Sequence, residues 1–189
     1  MGEKKRNVFV ISGPSGCGKN TVYDELKKRY PDIAQTVSAT TREKRAGETD
    51  GVDYYFISKE EFLKRVDNGE FAEYVCYGGN YYGTLNSEIK RLSDEGKTVV
   101  LIIEVNGAEN VKKMLPDAVS VFILPPSFEE LKRRIIGRGT NSAEDIEKRI
   151  EIAQGEMRCK DKYDYCVVND DLEACVNSIS EIIKGAVQK

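Results

Sequence analysis

Short unbroken apolar runs alternate with stretches of helical spacing along most of this chain. Val8-Phe9-Val10-Ile11 is continuous, not alternating, as expected of a strand buried on both faces in a parallel sheet. Comparable runs recur at Val99 to Ile103, at Val119 to Leu124 before Pro125-Pro126, and at Cys166 to Val168 before Asn169. A helical pattern opening at Thr21 carries Val22, Leu26 and Tyr30 and stops before Pro31. Further helices are predicted over Ala108 to Leu115, Ser127 to Ile136, Ser142 to Met157 and Leu172 to Ala186. Strands alternating with helices predict an α/β fold built on a parallel sheet.

Residues 33 to 92 break that rhythm. Tyr54, Tyr55, Tyr74, Tyr77, Tyr81 and Tyr82 gather there among short alternating segments, with turn-rich stretches at Ala46 to Asp53 and Gly78-Gly79-Asn80. Ser58-x-x-Glu61 is a capping box opening a short helix with Phe62, Leu63 and Val66. This texture predicts an inserted, mainly β subdomain. The basic, glycine-containing stretch Arg133 to Ser142 predicts a second, smaller insertion, flanked by the cap signals Ser127-x-x-Glu130 and Ser142-x-x-Asp145.

Composition narrows the chemistry. The 189 residues suit one domain with insertions. A net charge of −3 argues against a nucleic-acid-binding surface, while leaving open a small anionic ligand in a local basic pocket. Five cysteines (Cys17, Cys76, Cys159, Cys166, Cys175) form no C-x-x-C pair, and there is no histidine, so a zinc framework is not expected. Reduced thiols in a cytoplasmic protein are the simpler expectation. The basic segment Met1 to Asn7 leads into an apolar run too short for a signal peptide or a membrane span. The oligomeric state has no signature. Without histidine, a reaction needing a general base near neutral pH must recruit a perturbed carboxylate, lysine or cysteine; a reaction whose nucleophile is already anionic escapes that need.

Four stretches carry candidate chemistry. Gly13-Pro14-Ser15-Gly16-Cys17-Gly18-Lys19-Asn20 follows a predicted strand and opens a helix, the context of a phosphate-binding loop. Its glycines let successive N–H groups converge on one anion, the helix adds its positive end, and Lys19 adds a full charge. It meets the pattern G-x-x-x-x-G-K-[ST] except at the last position, where Asn20 replaces a hydroxyl and Thr21 supplies one a residue later. Cys17 reads as a small filler, or as a thiol activated by the helix end. Next, Ser38 to Glu48 carries Arg42 and Arg45 ahead of Tyr54; it is either a phosphate grip or a solvated charged loop. In Glu70 to Thr84, Glu73 is either a surface glutamate or a carboxylate accepting guanine's N1–H and N2–H₂. Last, Arg133, Arg134 and Arg138, with Arg149 beyond, either close over a phosphate chain or decorate a helix surface.

Taken in order, these stretches resemble the guanylate kinases from Val8 to about Ile183. The family patterns G-P-S-G-x-G-K, T-T-R-x-x-R-x-G-E followed by D-Y-x-F, G-N-Y-Y-G-T, F-I-L-P-P-S and V-N-D-D stand at Gly13 to Lys19, Thr40 to Glu48 with Asp53 to Phe56, Gly79 to Thr84, Phe122 to Ser127 and Val168 to Asp171. The resemblance implies a P-loop NTPase α/β/α fold with a five-stranded parallel sheet. It also implies a core over 1–34, 93–126 and 146–189, a GMP-binding subdomain over 35–92 and a small helical lid over 127–145. It implies ATP-dependent phosphorylation of GMP, and of dGMP, with Mg²⁺. ATP would bind Gly13, Pro14, Ser15, Gly16, Cys17, Gly18, Lys19, Asn20 and Thr21, with Arg134 and Arg138 over its phosphates and Asn169 near its adenine. GMP would bind Ser38, Arg42, Arg45, Glu48, Tyr54, Glu73, Tyr82, Thr84 and Glu104. Lys19, Arg42, Arg134, Arg138 and Arg149 would serve catalysis, and Asn20 or Thr21 the metal.

The departures are specific. Ile102 stands where the family's L-D-I-D-x-Q-G has its first acid, Glu104 replaces the second, and Lys44 replaces a proline between the two arginines. The alternative that these departures leave open is a catalytically impaired binding module of the same fold.

Overall fold

The computed structural model describes residues 7–137 and 143–187. Its centre is strand β1 (Val8–Ser12), whose glycine loop leads into helix α1 (Lys19–Arg29). Helix α1 starts two residues before the apolar spacing suggests, because Gly18 in a left-handed conformation (φ 96°) turns the loop directly into the helix. Strand β2 (Ile33–Gln35) then returns to the sheet.

The smaller sheet comes next in the chain. Strands β3 (Ala39–Thr40) and β4 (Tyr55–Phe56) pair in parallel, helix α2 (Lys59–Asp67) follows, and β5 (Phe71–Tyr77) and β6 (Asn80–Leu85) form an antiparallel pair. The sheet order is β4-β3-β6-β5. Ser58 caps α2 by accepting from the Glu61 N–H at 3.1 Å, as the capping signal predicts, while the Glu61 carboxylate turns to Arg65 instead of back to the cap. Phe62 is fully buried and stacks on Phe71 and Tyr81, with ring centroids 4.3 and 5.3 Å away. Leu63, the neighbouring apolar residue of this helix, is exposed.

Helix α3 (Asn86–Asp94) returns the chain to the core, followed by β7 (Thr98–Ile102), α4 (Val105–Met114), β8 (Val119–Leu124), α5 (Phe128–Ile136), α6 (Ala143–Met157), β9 (Tyr165–Val168) and α7 (Leu172–Val187). The large sheet has the order β2-β7-β1-β8-β9, and every neighbouring pair is parallel. Alternation along β1 divides the core into two layers. Phe9 and Ile11 pack with Val22, Leu26, Val176 and Ile179 of α1 and α7, while Val10 faces Ile89, Leu92, Ala108 and Val111 of α3 and α4. This is the α/β/α arrangement expected of the chain.

Two elements lie beyond the apolar pattern. Strand β2 has three residues at a sheet edge, too few to show a period, and α3 buries Glu88 beside Ile89 and Leu92, which masks its apolar face. Ser142, and with it the Ser142-x-x-Asp145 cap signal, lies outside the described residues, as does Arg138. Among the described residues, no helix is long and apolar enough to cross a membrane.

Phe62 holds α2 to the smaller sheet, so Phe62→Ala should destabilise the protein by about 3–5 kcal/mol, the usual penalty for emptying a buried aromatic site. Denaturant unfolding reads this directly, and a loss below about 1 kcal/mol would show that α2 is anchored elsewhere.

Candidate functional site

The glycine loop sits at the carboxyl end of β1, between the ends of β7 and β8, the end at which parallel sheets bind ligands. A side chain on Gly13 (φ 145°) would drive into the Ile123 carbonyl oxygen and meet Cys17 Sγ, so the loop's path against β8 requires glycine. Lys19 Nζ folds back to donate to the Gly13 carbonyl at 2.6 Å and reaches Pro14 O at 3.5 Å. It also stands 3.8 Å from Glu104 Oε2, at the N-cap of α4. The Ser15 N–H, one of the donors such a loop offers to an anion, donates to Glu156 Oε2 at 3.3 Å. Burial, with the nearby Glu104 charge, pushes the Glu156 carboxyl above its ordinary value, against the opposing pull of Lys19.

The loop is also tied from outside. Asn169, at the end of β9, donates from Nδ2 to the Cys17 carbonyl at 2.8 Å, while its own N–H bonds Leu124 O and its carbonyl accepts from Arg134 Nη2 at 3.2 Å. Glu130 pairs with Arg134 Nε at 2.8 Å and orients the guanidinium. Burial raises the Cys17 thiol's pKa, which fits a packed filler better than an activated nucleophile. Asn20 and Thr21 are exposed on the first turn of α1, Arg149 is half-buried on α6, and Pro14 and Gly16 complete the loop.

A second cluster forms on the smaller sheet. Arg42 Nη2 donates to Glu48 Oε1 at 2.6 Å, and the other oxygen of Glu48 accepts the Arg45 N–H at 2.8 Å. These bonds hold the Glu48 carboxyl below the usual range, and the Glu48 bond raises the Arg42 pKa. The Arg42 guanidinium lies 5.6 Å from the Tyr54 ring centroid, and the Tyr54 and Tyr82 rings meet edge-on at 6.1 Å. Arg42, Glu48, Tyr54 and Tyr82 form one ordered cluster, while the Arg45 side chain is exposed.

Glu73 is a buried carboxylate, not a surface one. It is 6% exposed, and its Oε1 accepts from the fully buried Thr84 hydroxyl at 2.8 Å. Burial raises its pKa despite the Thr84 bonds. Ser38 is half-buried just before β3, with its carbonyl accepting the Tyr55 N–H. Helix α4 runs from the loop to Glu73: Glu104 at its cap lies 3.8 Å from Lys19, and Gly107 three residues on lies against the Glu73 carboxylate, a separation of about one helical turn. Ile102, in the position of the missing acid, packs against the apolar core.

Glu156 and Gly107 join the site without a sequence signal that singles out either. Glu156 is one charge among many on α6, and Gly107 appears only within the Leu101 to Gly107 pattern.

Asn169→Ala should leave the buried Cys17 carbonyl unpaired and cost about 1–3 kcal/mol of stability, read by denaturant unfolding. An unchanged midpoint would mean that the loop is held without this tie.

The guanylate kinase family model matches residues 5–186. A guanylate kinase of Clostridioides difficile is 45% identical over 186 residues, covering 98% of this chain and 91% of that protein. One from Thermotoga maritima is 46% identical over 181 residues, covering 96% and 87%. The crystal structure of guanylate kinase from Anaplasma phagocytophilum superposes with a TM-score of 0.77 at 36% identity, covering 98% of this chain and 89% of that one. A shikimate kinase from Bacteroides thetaiotaomicron, 15% identical with a TM-score of 0.50 and covering 93% and 97%, shares the fold. With its loop, its ordered arginine and its buried carboxylate on that scaffold, this chain belongs to the guanylate kinase family.

Proposed function

We propose that the chain transfers the γ-phosphoryl group of ATP to GMP, and to dGMP, by direct in-line attack without a general base. The observation that carries this reading is the short span of α4 between the glycine loop and the buried Glu73 carboxylate, with Glu104 beside Lys19 and Gly107 beside Glu73. Two nucleotides held on either side of that turn can share one phosphoryl group.

The acceptor supplies its own nucleophile. A phosphate monoester has a second pKa of about 6, so at pH 7 its oxygen is already anionic and the absence of histidine is no obstacle. The protein then has to align the reactants, neutralise charge and exclude water. Lys19 and the loop N–H groups hold the ATP phosphates, and Arg134, Arg138 and Arg149 close over them. Arg42, ordered by Glu48, grips the GMP phosphate with Arg45, Tyr54 and Tyr82. Glu73, Thr84 and Ser38 read guanine. In this assignment, residues 35–92 carry the acceptor and residues 127–145 close the site, in a cytoplasmic enzyme.

Among the described residues, no group of three or more acidic or cysteine side chains could hold a metal. An amide or hydroxyl oxygen from Asn20 or Thr21, exposed on the first turn of α1, fits Mg²⁺, which keeps waters and phosphate oxygens and takes few protein ligands. Asn20 or Thr21 would supply its protein oxygen, and the ion would neutralise phosphate charge. The intact lysine and ordered Arg42 weigh against the impaired binding module.

A coupled nucleotide assay offering GMP, AMP, UMP or no acceptor tests the reading. GMP should turn over, and AMP should fall behind by roughly 10⁴ if Glu73's buried acceptors are left unpaired. Equal turnover of AMP and GMP would overturn the Glu73 role. Lys19→Ala should abolish transfer; unchanged turnover in that variant would refute the lysine's role, and no turnover with any acceptor in the unaltered protein would favour the binding module.

A further inference from the structure

Gly107 has no part in the chemistry above, yet its place in α4 is unusual for a glycine. It lies in the first turn of α4 with φ outside the positive range, so its backbone does not require glycine. Alanine is the better helix former, so nothing in the local backbone favours glycine here. The reason for glycine must therefore be space, and the space is taken by one group. A β-carbon on Gly107 would sit 2.7 Å from Glu73 Oε2, 3.3 Å from Glu73 Cδ and 3.6 Å from Glu73 Cγ. All three nearest atoms belong to that one carboxylate side chain.

The opposite edge of the same carboxylate is also held, since Oε1 accepts from the buried Thr84 hydroxyl at 2.8 Å. Glu73 is thus fixed between β6 on one side and the bare backbone of α4 on the other. A methyl group at 107 cannot retreat, being attached to a packed helix. The carboxylate can retreat, because it is the free end of a flexible side chain. The strain of an added methyl is therefore relieved by moving the carboxylate and leaving the fold in place.

We propose that Gly107 is a specificity-determining positioning residue, whose missing side chain sets the orientation in which the Glu73 carboxylate meets adjacent N–H donors of a purine base. This rests on the reading that Glu73 faces guanine. The base presents N1–H and N2–H₂ side by side, so a carboxylate turned out of that plane keeps one bond at best. Inosine monophosphate, which has N1–H but lacks the 2-amino group, separates the two bonds.

The test is steady-state kinetics of Gly107→Ala with GMP and inosine monophosphate as acceptors, alongside its thermal unfolding. The expected result is a rise in KM for GMP of about tenfold or more, the loss of one charge-assisted hydrogen bond. The preference for GMP over inosine monophosphate should shrink by a similar factor, while KM for ATP stays within about twofold. In a Glu73→Ala background, the same alanine should change neither acceptor's KM and should not destabilise the protein, because the group it displaces is gone. An unchanged GMP preference in Gly107→Ala would overturn the proposal. So would an unfolded Gly107→Ala that Glu73→Ala fails to rescue, since the methyl would then be clashing elsewhere. If Glu73→Ala itself leaves KM for GMP unchanged, the guanine reading fails and this inference falls with it. If Glu73→Ala weakens GMP and Gly107→Ala does not, this inference alone is wrong.

Discussion

A loop that points its N–H groups at an anion must find partners for its carbonyl groups, and the whole site depends on how that is done. Lys19 takes the Gly13 carbonyl, with Pro14 O at the edge of its reach, and Asn169 takes that of Cys17. Asn169 is itself fixed by Leu124 at the end of β8 and joined to Arg134 on α5. The cradle is therefore shaped by the ends of three neighbouring strands and by the helix that carries one of its arginines. The Ser15 N–H, turned to Glu156, belongs to the same pattern of paired loop groups.

From that frame, α4 extends the order to the second half of the site. Its cap residue Glu104 stands beside Lys19, and its first full turn brings backbone against Glu73. The smaller sheet reaches that turn through β5, and on the same sheet and its loops Arg42, Glu48, Tyr54 and Tyr82 pack as one cluster. Ile102 turns into the core, which leaves Glu104 as the carboxylate that this end of the β7–α4 segment offers to Lys19.

What the sequence revealed was local. The loop between β1 and α1, the caps at Ser58 and Ser127, and the continuous strands β1, β7 and β8 depend on neighbours within a few residues, so spacing exposes them. Strand β2 and helix α3 escaped because one is three residues at an edge and the other buries a glutamate. The choice between a surface glutamate and a buried acceptor at Glu73 turned on contacts with Thr84 and Gly107, 11 and 34 positions away. The tie from Asn169 to Cys17 crosses 152 positions, and no periodicity reports it. Asn169 and Gly107 stand within stretches matched by the family patterns, but the physical reason for each lies in packing that only the folded chain brings together.

The proposed direct transfer between two held nucleotides, with no protein nucleophile and no general base, has one sharp stereochemical consequence. The measurement is the configuration at phosphorus after transfer to GMP from ATP carrying a chiral, isotopically labelled γ-thiophosphate. A single in-line displacement between sites on either side of α4 predicts inversion. Retention would mean two displacements through a phosphorylated side chain, and would contradict a site that works by alignment and charge alone.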